Sequence, residues 1–212
     1  TRVATRVDAN ASQLASVGPD IHVAEFKDSS DAEERVDTGQ VTMHSYDLSF
    51  AEAHRSDAPR SHAQLVGLRF TGVDLPPAAL VETASIVFSA KEVDDTPTSL
   101  WIKGSTHSGA FSKARYNVSA RASTTSSVAW ESVPSWASLR SKQETPDLSA
   151  IVQELVGGRA WTSTRSLVFV VGGKGKRVAY AADHAYYGKS ERPVLKVRYT
   201  TAASTSSSTG MH

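Results

Sequence analysis

The chain has 212 residues, 40% of them hydrophobic, with 23 basic and 22 acidic residues and a net charge of +1. This is enough apolar sequence for one full core or two small ones, and the composition argues against a disordered, collagenous or membrane-spanning chain. The basic residues are scattered, without the clustered patch that phosphate-backbone binding needs, so nucleic acid is not an expected partner. With no cysteine, disulfides, thiolate metal sites and a cysteine nucleophile are excluded.

The opening "TRVATRVDANASQLASV" alternates Val3, Thr5, Val7 and Ala9 with Arg2, Ala4, Arg6 and Asp8, the period of a strand. Residues 1–18 are therefore read as an N-terminal extension carrying an extra strand. A start at Thr1 with no Met and no charged-then-apolar leader suggests either a processed secreted protein, which would be expected outside the cell or on its surface, or merely a sequence cut short. The sequons "NAS" at Asn10 and "NVS" at Asn117 are candidate glycan acceptors if the cell is eukaryotic.

Next comes "KDSSDAEERVD", with five carboxylates within ten residues. Such a run must be solvated or neutralised, and two readings stand open. One is a solvated acidic loop paired with Lys27 and Arg35. In the other, Asp28, Asp31, Glu33, Glu34 and, from "YDLSF", Asp47 hold a structural Ca²⁺, a hard cation that takes six to eight oxygens, with Asp183 more distant. Calcium is the one cofactor expected.

Beyond residue 60 the dominant period is two. "LVGLRF" sets Leu68 and Phe70 against Arg69, "ASIVFSA" puts Ala84, Ile86 and Phe88 on one face, and "PVLKVRY" sets Leu195, Val197 and Tyr199 against Lys196 and Arg198. "SLVFVVGG" is apolar on both faces, as a central strand should be. Gly, Pro, Asp and Ser turns separate these runs at sandwich-like intervals. The fold class is all-β, a jelly-roll-like sandwich over residues 19–200.

In "SLWIKG", Leu100 and Ile102 facing inward leave Trp101 and Lys103 on the outer face about 7 Å apart, by strand rise. An aromatic platform beside a cation suits an acidic polysaccharide, and Lys113, Arg115 and Tyr116 of "FSKARYN" extend the candidate surface. The competing reading packs Trp101 under a loop or at a subunit contact. Trp130, Trp136 and Trp161 flank the single predicted helix and read as core.

That helix lies in "ETPDLSAIVQELVGG", where Leu148, Ile151, Val152, Leu155 and Val156 recur at helical spacing. Thr145 is the expected N-cap, Pro146 the first helical position and Gly157 the stop, giving a short amphipathic helix over about 146–156. Residues 201–212 form a Ser/Thr-rich tail too polar to order itself. Its density of hydroxyls, Thr205 and Ser206 among them, suits O-glycosylation.

The runs "SSDAEERVDTGQV", "SYDLSF", "VGLRFTGVDLPPAALVETASIVFSAKEVD", "LWIKG", "ETPDLSAIVQELVGGRAW" and "RPVLKVRY", in that order, resemble the DNRLRE-type domain. That family is a β-jelly-roll family related to alginate-binding carbohydrate-binding modules, and the resemblance covers roughly residues 20–200. It implies a noncatalytic extracellular sandwich of the kind attached to polysaccharide-active enzymes and surface proteins. Direct motif reading agrees on catalysis, since there is no G-x-S-x-G elbow, no H-E-x-x-H and no Walker lysine, and "GGKGKR" lacks P-loop spacing. The seven histidines, His44, His54 and His62 among them, have no recognisable ligand spacing.

Two functions compete. The extension and tail favour a structural subunit that joins copies of itself head to tail into an extracellular filament or surface layer, by adding a strand to a neighbour's open sheet edge. The resemblance favours a carbohydrate-binding module for an acidic polysaccharide such as alginate.

Overall fold

The computed structural model describes residues 20–53, 62–158, 161, 165–183 and 188–201. Val3, Thr5, Val7, Ala9, Asn10, His54, Thr205 and Ser206, with the expectations attached to them, lie outside the described residues.

In chain order the strands are β1 (Asp20–Phe26), β2 (Ser29–Arg35), β3 (Val41–Met43), β4 (Asp47–Ala53), β5 (His62–Val73) and β6 (Leu80–Ser89). They continue with β7 (Ser99–Ser105), β8 (Ser123–Trp130), β9 (Lys142–Glu144), β10 (Arg165–Lys174), β11 (Arg177–Tyr180) and β12 (Val194–Thr201). Helix α1 (Ser149–Gly157) falls between β9 and β10.

A smaller sheet has the order β1-β12-β6-β9, and a larger one runs β11-β4-β5-β10-β7-β8, with β2 paired to β5 and β3 to β2. All pairings are antiparallel. The fold is thus the all-β sandwich with one short helix that the alternation predicts.

The core lies where the alternating faces meet. Val66, Leu68 and Phe70 of β5, Leu167, Phe169 and Val171 of β10, and Leu100 and Ile102 of β7 share one buried cluster with Ala84, Ile86 and Phe88 of β6 and Leu195 and Val197 of β12. Each large apolar side chain among them contributes about 1.5–3 kcal/mol by leaving water. Trp130, Trp136 and Trp161 belong to the same cluster, and Phe50 meets Phe88 and Trp136 edge-on. β10, apolar on both faces, sits between β5 and β7. Its outward Val168 and Val170 are buried as well, in a second cluster.

The helix begins later than its sequence predicts. Leu148 occupies the N-cap without a side-chain cap, and Gly157 is the last helical residue, not the stop. Thr145 has another task, because its hydroxyl accepts the Ile86 N–H at 3.0 Å. Asp147 likewise accepts the Ala84 N–H at 2.9 Å while also taking the Ser149 N–H at 3.1 Å. The segment predicted as the first helical turn instead extends the ladder beyond β9 by satisfying edge donors of β6. Ile151, Val152 and Val156 then face the core as predicted.

Candidate assembly and binding surfaces

The smaller sheet ends in β1. All seven of its residues are in register with β12, from Asp20 opposite Thr201 to Phe26 opposite Leu195. Among the described residues its other side has no strand partner. Ala24 and Phe26 turn inward to the core, and His22 stacks on Tyr199 with 5.0 Å between ring centroids. The alternate residues Ile21 and Val23 are 58% and 73% exposed. Ile21 pairs with Thr200, 7% exposed, which in turn pairs with Leu80 of β6, itself 65% exposed, so the two exposed apolar residues flank a buried threonine. Proteins ordinarily blunt such edges with lysine, proline or a bulge. Here Glu25 and Lys27 pair with each other at 2.9 Å at one end, and the rest of β1 carries no such device.

The larger sheet's outer face is covered rather than open. Residues 106–122 fold across it and place Phe111 and Val118 on Ala32, Val41, Val168 and Val170. A glycine is needed beneath, since a Cβ at Gly67 would lie 2.6 Å from the Phe111 ring. Arg121 stands over that ring at 4.3 Å and donates to the carbonyls of His107, Gly109, Ala110 and Asn117. Glu34 accepts the N–H groups of Val118 and Ser119 at 2.7 and 3.1 Å. Asn117, the described sequon, holds the same loop, its Oδ1 accepting from Ser112 N–H and Arg121.

Trp101 and Lys103 do share the outer face, with the Lys103 Nζ 5.7 Å from the indole centroid. The indole lies half-buried against the second cluster and close over Gly172, where a Cβ would collide with it. Lys113, Arg115 and Tyr116 belong to the covering loop and are exposed. Two of them are spent on holding it, Arg115 by donating to the Thr38 carbonyl at 2.8 Å and Tyr116 by laying its ring against Gly39.

The acidic run is not a loop. From Ser29 it is strand β2, and its carboxylates part to opposite faces. Asp28 precedes the strand and is exposed. Asp31 and Glu33 point into the sandwich, 2% and 8% exposed, whereas Glu34 points outward under the covering loop. Asp31 accepts the Ala182 N–H at 3.0 Å, and its Oδ1 has no partner. Glu33 accepts from Ser49 N–H and from Gln64 Nε2, both at 2.7 Å. Asp47 is engaged by Lys91 at 3.0 Å, and Asp183 by His44 at 3.0 Å. Among the described residues neither Asp31 nor Glu33 forms an ion pair with a basic side chain.

Burial drives the Asp31 carboxyl up to about 7, the Ala182 N–H opposing it and the charge of Asp183 adding to it. Glu33 also rises to about 7, by burial, against the Ser49 N–H and with Asp47 adding to it. Among the described residues no three acidic or histidine side chains gather as a group that could hold a metal ion. Of the expected ligand set, Asp31, Glu33 and Asp47 lie near enough for the charge of Asp47 to raise the other two carboxyls, whereas Asp28 precedes the strand and Glu34 points to the outer face.

The sequence offers no sign that β1 is an edge, or that Phe111 and Glu34 fasten a covering loop. No family model and no curated protein matches the chain. Among the described residues no helix is long and apolar enough to cross a membrane.

Proposed function

We propose that the chain is a noncatalytic structural subunit of an extracellular filament or surface layer, its copies joined head to tail through the N-terminal extension. The observation that carries this reading is β1, a seven-residue edge with Ile21 and Val23 exposed and one side unpaired among the described residues. The occupant is the segment Val3–Ala9 of a second copy. Nineteen residues precede β1, an extended reach of about 60 Å, so the extension leaves one subunit beside its own free edge with length to spare for the next. Main-chain hydrogen bonds, each net about 0.5–1.5 kcal/mol, and burial of Val3 and Val7 against Ile21 and Val23 supply the joint. A contact of this sense does not pair with itself, so it propagates.

Electron microscopy of the purified full chain and of a chain lacking residues 1–17 tests the proposal. Filaments from the first and folded monomers from the second are expected, with Thr5→Pro acting like the truncation. A truncated chain that unfolds, or one that polymerises as before, overturns it.

A second reading rests on Trp101 and Lys103. An indole laid over Gly172 with an ammonium 5.7 Å from its centroid suits the apolar face and carboxylate of a uronic acid residue, in line with the resemblance to alginate-binding modules. Trp101→Ala and Lys103→Ala should each weaken retention on an alginate gel by about 1–2 kcal/mol. Unchanged retention removes this reading and leaves the first intact.

A further inference from the structure

At one end of the sandwich the β6–β7 connection, the β8–β9 connection and the end of β10 enclose a cleft of about 380 Å³. That volume lies within the range of small-molecule sites. Its floor is Arg177, 1% exposed, whose guanidinium donates to the carbonyls of Val133 and Pro134 on one side and to the Thr96 carbonyl and Thr98 hydroxyl on the other. A reciprocal backbone pair between Asp94 and Trp136, at 3.1 and 2.9 Å, ties the same two segments. The Asp94 carboxylate is occupied as well, by the Thr96 N–H at 2.8 Å and by Lys176 at 3.7 Å. Arg177 and the Asp94–Trp136 pair thus tie the two connections that frame the cleft to each other.

The rim is different. Asp95, Ser99, Ser132, Ser135 and Lys174 line the cleft and are exposed, and among the described residues none of their side chains has a hydrogen-bond or ion-pair partner. Ser132, in the turn that follows β8, holds φ at 50°, a left-handed conformation that costs a serine on the order of 1 kcal/mol. Pro97 adds an exposed apolar ring to this rim.

We propose that this cleft binds a neutral pyranose, either a free sugar or the end of a glycan chain. One carboxylate and one ammonium leave the rim without net charge. The carboxylate accepts from two vicinal sugar hydroxyls, the ammonium and serine hydroxyls donate to others, and the C–H face of the ring packs on Pro97. An anionic sugar meets Asp95 unfavourably, and an aromatic ligand finds no exposed ring to stack on. The cleft is a different surface from β1 and from Trp101, so its occupancy is independent of filament formation and of alginate binding alike.

The test is a titration of the full chain, isotopically labelled, with the methyl pyranosides of glucose, galactose and mannose, followed by amide chemical shifts in solution or, where the chain is polymerised, under magic-angle spinning. Saturable shifts at Ser99, Ser132, Ser135 and Lys174 are expected for at least one of them, with a dissociation constant on the order of 1–10 mM. Asp95→Ala and Lys174→Ala should each raise that constant at least roughly fivefold with an unchanged melting temperature, because both side chains are exposed. The wild-type shift map locates the site even if a variant misfolds. Absence of saturable shifts for all three sugars, shifts confined to other surfaces, or binding indifferent to Asp95→Ala overturns the proposal.

Discussion

Asp31 and Glu33 give the protein an unusual dependence on pH. Unfolded, they ionise near their ordinary values of 3.8 and 4.5, whereas folded they keep their protons to about 7. Between those limits the native state binds more protons than the unfolded chain, so stability falls as pH rises and levels off above about 7. The usual carboxylate works the other way, and Asp94, Asp147 and Glu191, all held below their ordinary values, lose their contribution only at more acid pH. Urea melts at pH 5 and pH 8 should therefore differ by a few kcal/mol, roughly, in favour of pH 5. Asp31→Asn and Glu33→Gln should flatten that difference. A wild-type curve that rises from pH 5 to 8 would show both groups to be ionised in the fold. The same melts with and without a chelator test the calcium expectation: Asp31, Glu33 and Asp47 lie near enough for the charge of Asp47 to act on the other two, so a midpoint lowered by chelator and restored by Ca²⁺ would show a bound cation, and an unchanged midpoint would leave the carboxylates without one. Residue identity alone points away from this arrangement: five acids in ten residues read as a solvated or cation-binding loop, because nothing local signals that two of them take inward positions of a strand.

At the scale of elements, structure set by local pattern is legible in the sequence. The alternation in β5, β7, β10 and β12 fixes which side chains face the core, and the spacing of Ile151, Val152 and Val156 fixes the helix face. The helix start is not legible, because Thr145 and Asp147 look like capping residues and are instead claimed by donors of β6 more than fifty residues away. The covering loop is illegible for the same reason. In "AFSKARYN" a single Phe among polar residues gives no period, yet Phe111 seats on Gly67 and anchors the whole segment. Phe111→Ala should cost roughly 3 kcal/mol, and Gly67→Ala about 1–3 kcal/mol, through a Cβ placed 2.6 Å from the ring. Hydrogen exchange would locate the damage. Amides of 106–122 should lose protection first, while those of β10 stay protected, and equal loss in both would mean that the loop and the sheet beneath are one cooperative unit.

For the whole molecule the question is which edges the fold leaves open. On the larger sheet, the Glu154 carboxylate of α1 accepts the Thr125 and Ser126 N–H groups of β8 at 2.7 and 2.8 Å, closing part of that edge with a side chain. On the smaller sheet the β9 edge is only three residues long and passes into a segment already bonded to β6. Among the described edges β1 stands apart by what it presents, Ile21 and Val23 exposed on it, and by its place next to the extension, rather than by length, since β8 has eight residues to its seven. If this asymmetry directs head-to-tail assembly, charge placed on β1 should stop it without disturbing the subunit. The double substitution Ile21→Lys, Val23→Lys leaves buried contacts intact, so stability should change by no more than about 0.5 kcal/mol per site, while an incoming strand meets two ammonium groups where it needs apolar surface. Light scattering should then report monomers at concentrations where the parent chain polymerises. Glu154→Ala is the opposite control: it unblocks the β8 edge, and should add irregular association on top of filament formation rather than abolish it. Filaments that persist in the double lysine variant would mean that the subunits join elsewhere, and would leave the exposed apolar face of β1 without a role in assembly.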